Sequence, residues 1–339
     1  MPRSGLRERV TWGRPGLRLP LLLLGVAGLA ILSLPILQRM RSPMARAGVL
    51  AVPAPIDGDR AFGYLRSICK LGPRPAGSPA NTRQREMVAR HFQAMGAVVR
   101  EQPFDSVDPL SGARVAMVNL IGAWHPERRE RVLLGVHYDT RPFPDEEPDP
   151  SRRRLPFLGA NDGASGVALL MEIAHHLNGL KTPWGVDLVL FDGEELVYGQ
   201  VGEYFLGSKV FAENYAETQE AKGSPQYVAA LVLDMVGDRN LAIDQEPHSL
   251  ELAPQLVQDV WAVARRLKAP AFRNRVGRAV LDDHLPLNNA GIPAIDIIDF
   301  DYPHWHTTRD VPENCSGASL AQVGRVVTAW LAQSARRAR

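Results

Sequence analysis

What most limits how this chain can fold is an alternation. Between 57 and 336, short apolar runs that stop at a glycine, a proline or an acid take turns with stretches of helical period. Strands are predicted at 97–104, 115–124, 131–139, 186–192, 227–235 and 292–300. Helices are predicted at 59–71, 81–95, 165–177, 252–267 and 319–335, where apolar side chains recur every three or four residues. Such a succession defines an α/β domain with a mixed, mostly parallel central sheet covered by helices. No repeat or break interrupts it, so 57–336 is expected to be a single domain.

The run VDLVLF at 186–191 lies between Gly185 and Gly193 and reads as a strand buried on both faces. It ends in Asp192, followed by the adjacent carboxylates Glu194 and Glu195. In open α/β sheets the carboxyl ends of the strands form the ligand crevice. Two neighbouring carboxylates there repel each other unless a cation shares them or one takes up a proton. Other runs finish in the same way. His137 and Asp139 close one strand, Asp162 sits in a glycine-rich turn that opens a helix, Asp234 closes another strand, and His304 and His306 follow the last. Any one of these alone is an ordinary turn, cap or core residue, but their recurrence at separate strand ends points to a metal centre. Oxygen and imidazole donors without thiolate suit a catalytic zinc. One glutamate of the pair would then bind the ion and the other act beside it as general base.

The two cysteines, Cys69 and Cys315, form no CxxC pair, so a thiolate zinc site is not supported and a disulfide between them stays open. A net charge of +2 without a basic stripe argues against nucleic acid as a partner. The N-terminus differs from the rest. Arg3, Arg7, Arg9, Arg14 and Arg18 precede an uncharged stretch at 19–37, LPLLLLGVAGLAILSLPIL, which is long enough to cross a hydrocarbon core as a helix. Residues 1–38 are therefore expected to be a basic N-terminus with a transmembrane signal-anchor, and 39–56 a tether. The domain at 57–336 would lie on the non-cytoplasmic side as part of a single-pass membrane protein. The rival expectation is a secreted product cleaved near Ala45-Arg46-Ala47. The polar, proline-rich segment at 140–157 follows a strand end and is expected to form a rim.

The order His137, Asp162, Glu194-Glu195, Asp234, His306, in the strings GVHYDT, LGANDGASG, FDGEE, LVLDMVGD and YPHWHTTRD, resembles the zinc aminopeptidases and their glutaminyl cyclase branch. The likeness runs from about Asp57 to the C-terminus. It implies a single α/β domain with a twisted mixed sheet, holding one or two zinc ions. By motif, Asp162, Glu195 and His306 match the ligands of the metal used in both branches, and Glu194 matches the general base. His137 and Asp234 match the holders of a second zinc, and Asp139 the carboxylate that orients the first histidine. VLDDHLPLNNAGIPAIDIIDF and HWHT are similar to the bacterial-type cyclases, where Asp282 would join an acid network with the base and Trp305 line the substrate pocket. The implied reaction is cyclisation of an N-terminal glutamine of peptides or proteins to pyroglutamate with release of ammonia, Asp234 and Asp282 assisting Glu194. The complete two-metal set keeps a zinc aminopeptidase as the alternative. An inactive binding module is the third reading, although every ligand position is filled.

Overall fold

Branched apolar residues between two glycines make Gly185–Phe191 a strand buried at every position. Its acid, Asp187, is fully paired: Arg131 donates to it from Nε (2.9 Å) and Nη2 (2.6 Å), and the Tyr227 hydroxyl donates at 2.6 Å. Losing one of these partners would strand a buried charge, which is why an acid is tolerated here only with them.

The computed structural model describes residues 55–219, 221 and 223–334, all within one compact unit. In chain order the strands are β1 (Val98–Val107), β2 (Arg114–Trp124), β3 (Glu130–His137), β4 (Gly185–Phe191), β5 (Val197–Tyr198), β6 (Val201–Gly202), β7 (Gln226–Asp234), β8 (Ile243–Gln245), β9 (Phe272–Val276) and β10 (Ala294–Ile298). The helices are α1 (Gly58–Cys69), α2 (Pro79–Ala94), α3 (Ser165–Leu177), α4 (Leu206–Thr218), α5 (Pro247–Leu252), α6 (Pro254–Arg266), α7 (His284–Asn289) and α8 (Gly317–Ser334). The main sheet has the order β1-β2-β4-β3-β7-β10. β4, β3, β7 and β10 run parallel, while β2 is antiparallel to both β1 and β4. The parallel group therefore delivers His137, Phe191, Asp234 and Ile298 to one edge.

The two-residue period of the strands divides the core. Val132, Leu134, Val136, Leu188 and Leu231 face the layer that contains α1, α3, α6 and α8. Leu133, Val189 and Val232 face the other side, against Phe211 and Tyr215 of α4 and Leu287 of α7. α4, α5, α7 and the two-stranded pairs β5/β6 and β8/β9 escaped the sequence reading. They are short or carry breaking signals: α7 has Pro286 inside it, and α4 starts after Phe205 in a left-handed conformation (φ 62°) with no side-chain cap. Cys69 and Cys315 are buried free thiols.

The expected membrane segment at 19–37 and residues 39–54 of the tether lie outside the described residues. Among the described residues no helix is long and apolar enough to cross a membrane. This corrects the expectation of a transmembrane signal-anchor, of the membrane as a partner and of a single-pass location, and none is carried further.

In the helical layer, Glu172 of α3 ties down the start of α1. Its carboxylate accepts from Asp57 N–H (2.8 Å), Arg60 Nε (2.7 Å) and Nη2 (2.8 Å), and contacts His176 Nε2 at 2.9 Å. Burial alone would raise this carboxyl, but the hydrogen bonds from His176, Arg60 and Asp57 outweigh it and hold it at about 2. A folded value below the unfolded one means stability that is complete above the unfolded carboxylate range, near 4.5, and is lost as pH falls towards 2. Glu172→Gln is accordingly expected to lower Tm at pH 7 by several degrees, with the gap to wild type closing between about pH 4.5 and pH 2 in thermal melts. A gap that stayed constant across that window would refute the charged role.

Candidate metal centre and active site

The edge formed by the carboxyl ends of β3, β4, β7 and β10 gathers the residues singled out in the sequence. His137 ends β3, Glu194 and Glu195 follow β4, and Asp234 ends β7. Asp162 arrives on the loop before α3, and His306 on the loop after β10. Two overlapping groups result, His137 with Asp162 and Asp234, and Asp162 with Glu195 and His306. The candidate ligand atoms of each group lie within 4.8 Å of one another. Asp162 belongs to both. Its Oδ1 lies 3.1 Å from His137 Nε2, and its Oδ2 lies 3.4 Å from His306 Nε2. His306 Nε2 is also 2.8 Å from Glu195 Oε1, and His137 Nε2 is 3.2 Å from Asp234 Oδ1.

These spacings fit zinc. Tetrahedral bonds of about 2.0–2.1 Å set neighbouring donor atoms about 3.3 Å apart. Asp162 Oδ2, Glu195 Oε2 and His306 Nε2 are buried without a well-directed hydrogen bond. Buried polar atoms are almost always satisfied, so a set of orphaned donors converging on one spot suits a cation. The two groups are consistent with one or two zinc ions.

Backbone holds the acids in place. Asp139 accepts from the N–H groups of Glu194 (3.1 Å) and Glu195 (3.0 Å), while its Oδ1 is 3.9 Å from His137 Nδ1, beyond hydrogen-bond reach. Asp192, at the turn, accepts from Asn81 Nδ2 (3.0 Å), Val118 N–H (3.0 Å) and the Tyr138 hydroxyl (2.8 Å). Gly163 has φ 87°, and a Cβ there would sit 2.4 Å from the carbonyl oxygen of Asp139, so only glycine lets these two loops meet. Non-glycine residues in the left-handed region cluster here as well: Phe205 (φ 62°), Met235 (φ 45°) and His306 (φ 51°). Such conformations cost on the order of 1–3 kcal/mol each and persist where the surroundings over-determine them.

A cavity of about 290 Å³ opens over the metal groups. Asp162, Glu194, Glu195, Asp234, Asp282 and His306 line it on the polar side, and Trp305, Phe300, Leu281 and Tyr204 on the apolar side. Trp305 stacks on the His306 ring with centroids 3.8 Å apart and planes at 24°. His304, two residues before His306, packs against Tyr302 and joins neither group. Burial raises Glu194 well above the ordinary carboxylate range, and the charges of Glu195, Asp282 and Asp283 push the same way against the opposing effect of His137. Asp234 is raised to about 7, mainly by burial. Asp282 also forms a buried group with His284 and Asp296, each with a candidate ligand atom within 4.8 Å of the others.

Four contributors escaped the sequence reading. Arg141, on the insertion at 140–157, donates from Nη1 to Glu195 Oε1 (3.4 Å) and from Nη2 to the Tyr204 hydroxyl (3.1 Å). Asp145, four residues on, binds Arg141 at 2.7 and 2.8 Å and stands 3.3 Å from His306 Nδ1. Burial would raise Asp145, but His306 and Arg141 outweigh it and bring it down to about 2. The insertion is thus more than a rim, since it grips two candidate ligands from behind, as outer partners of metal-binding side chains do. Asp310 accepts from the N–H groups of Asn161 (2.8 Å) and Asp162 (3.1 Å) and from the Tyr302 hydroxyl (2.9 Å), fixing the Asp162 loop. The run TRPFPDEE carried a usable hint, an Arg and an Asp four apart directly after a strand end. Asp310 and Tyr204 gave no such signal.

The fold and these metal groups define a zinc-dependent enzyme of the glutaminyl cyclase and M28 peptidase type. Residues 119–331, more than half of the chain, match the profile of peptidase family M28, and the chain belongs to that family. Among solved structures it is similar to the glutaminyl cyclase of Fimbriiglobus ruber, with 41% identity, a TM-score of 0.78 and coverage of 82% of this chain and 95% of that one. It is also similar to a leucine aminopeptidase precursor from Bacteroides thetaiotaomicron, with 32% identity, a TM-score of 0.77 and coverage of 84% and 99%. The glutaminyl-peptide cyclotransferase of Gloydius blomhoffii is 26% identical over 288 residues, 76% of each chain.

Proposed function

We propose that residues 57–336 form a catalytic domain that converts the N-terminal glutamine of peptides or proteins to pyroglutamate with release of ammonia. One observation carries the reading: Glu194, Asp282 and Trp305 face a single cavity above Asp162, Glu195 and His306. Those last three would hold the zinc, which when bound supplies Lewis-acid polarisation of the substrate's side-chain carbonyl. Glu194 takes the proton from the α-amine as that nitrogen bonds to the side-chain carbonyl carbon. It then returns the proton to the departing amide nitrogen, so the carbon–nitrogen bond breaks and ammonia leaves. A carboxyl raised by burial and neighbouring acids suits a group that must both accept and give a proton near neutral pH. Asp282 adds its charge beside Glu194, and Asp234 and Asp282, which line the same cavity, would steady the leaving nitrogen. Trp305 and Phe300 keep the cavity dry on one side, which matters because water competes with the amine as nucleophile. Asp139 sets the backbone of the Glu194-Glu195 pair through its two hydrogen bonds.

A second reading, a zinc aminopeptidase hydrolysing N-terminal residues, has its own support. The matching family profile is that of peptidases, and the group of His137, Asp162 and Asp234 would hold a second zinc, with Asp162 common to both groups. Paired metals are what hydrolysis by an activated water calls for. On these two observations it stands at least level with cyclisation. Mass spectrometry of Gln-peptides and Leu-peptides incubated with the purified, zinc-loaded protein separates the two. Loss of 17 Da from Gln-peptides, about the mass of ammonia, with Leu-peptides intact is the expected result. Free leucine without cyclisation would establish the hydrolase instead.

A further inference from the structure

A second cavity, of about 310 Å³, lies beside the catalytic one, and Val280, Ile298 and Phe300 line both. Its far wall is ionic. Asp244 is engaged by Arg273 Nε (2.8 Å) and by Arg275 Nε (2.8 and 2.9 Å). Asp301 stands 3.6 Å from each of Arg273, Arg275 and Arg278, too far for a hydrogen bond with any of them. Glu246 also borders the cavity, but it is 2% exposed and its oxygens are taken by the N–H groups of His248, Ser249 and Val280. Two guanidinium groups, Arg275 and Arg278, thus line the cavity with three carboxylates, Asp244, Glu246 and Asp301, while Arg273 backs Asp244 from outside it. Arg278 is the cation left free to meet a ligand, since Arg275 is hydrogen-bonded to Asp244 whereas the Arg278 side chain is 72% exposed and stands 3.6 Å from Asp301, its closest described counter-charge. Each cavity also has an exposed apolar residue in its lining, Leu281 (67% exposed) in the catalytic one and Val276 (63%) in the second.

Both readings above place the substrate's N-terminal residue in the catalytic cavity, with its amine and side chain inward. The rest of the peptide must leave through the mouth, at about 3.3–3.6 Å per extended residue. Resting on that reading of the site, we propose that the Arg278 cavity is a subsite for the residues that follow the substrate's first. Leu281 and Val276 support the peptide's stem, and Arg278 selects chains that carry a carboxylate there.

The test compares Gln-Glu-Glu-Ala-amide with Gln-Lys-Lys-Ala-amide. With wild-type protein the acidic peptide is expected to show a KM about fivefold lower at similar kcat, the scale of one exposed ion pair. Arg278→Glu should reverse the order and Arg278→Ala level it, while turnover of a glutamine anilide, which has no following residue, stays unchanged. Calorimetric binding of both peptides to Glu194→Gln protein reads the same preference without turnover. Equal affinities in that measurement, or a preference that Arg278→Glu leaves intact, would overturn the subsite. A preference that persists where no peptide is cyclised would uphold the subsite and remove the cyclase reading alone.

Discussion

Replacing Glu194 with glutamine is expected to lower turnover about 10³-fold, near 4 kcal/mol of transition-state stabilisation, while zinc content stays at the wild-type level. The side chain keeps its size and the backbone N–H of residue 194 still donates to Asp139, so the loop conformation should persist. What disappears is a group able to accept a proton from the amine. The size of the effect also separates two roles. If Glu194 served only to bind substrate, KM would rise and kcat would hold; loss in kcat at unchanged KM is the signature of proton transfer. Wild-type kcat in the variant, measured beside a zinc determination, would remove Glu194 as the base.

Asp162→Ala is expected to strip zinc almost completely. Its two oxygens face different histidines, Oδ1 towards His137 and Oδ2 towards His306, so its loss breaks both groups at once. His137→Ala breaks only the group shared with Asp234, and His306→Ala only the group shared with Glu195. Metal analysis of the three variants therefore counts the ions: residual zinc in both single-histidine variants but none in Asp162→Ala indicates two bridged sites. A bound ion stabilises the state that binds it. Chelation should accordingly lower Tm in wild type and leave Asp162→Ala unmoved. Stoichiometric zinc retained by Asp162→Ala would show that this carboxylate is not a ligand.

Much of this architecture was legible in the chain. The six strands of the main sheet follow from their apolar runs, and five of the helices from their period, because each buries a face whose pattern is local. The strand ends showed where the acids and histidines stand. Asp187 is instructive: it lies inside a run read as apolar, and nothing near it in sequence reveals that Arg131 and Tyr227 pair with it. The small elements were missed for the opposite reason. α7 and the β8/β9 pair are held by what packs on them rather than by their own period.

By itself the sequence determined the α/β class, the set of candidate ligands and the likeness to zinc enzymes, since these depend on residue types and spacings along one strand or turn. Only the tertiary structure decided that Asp162 faces two histidines with two different oxygens, that Asp139 braces the backbone of the glutamate pair, and that Arg141 and Asp145 reach behind Glu195 and His306. Those are distances between loops that leave separate strands. Their values come from how the parallel strands stack side by side, which no single segment of the chain encodes.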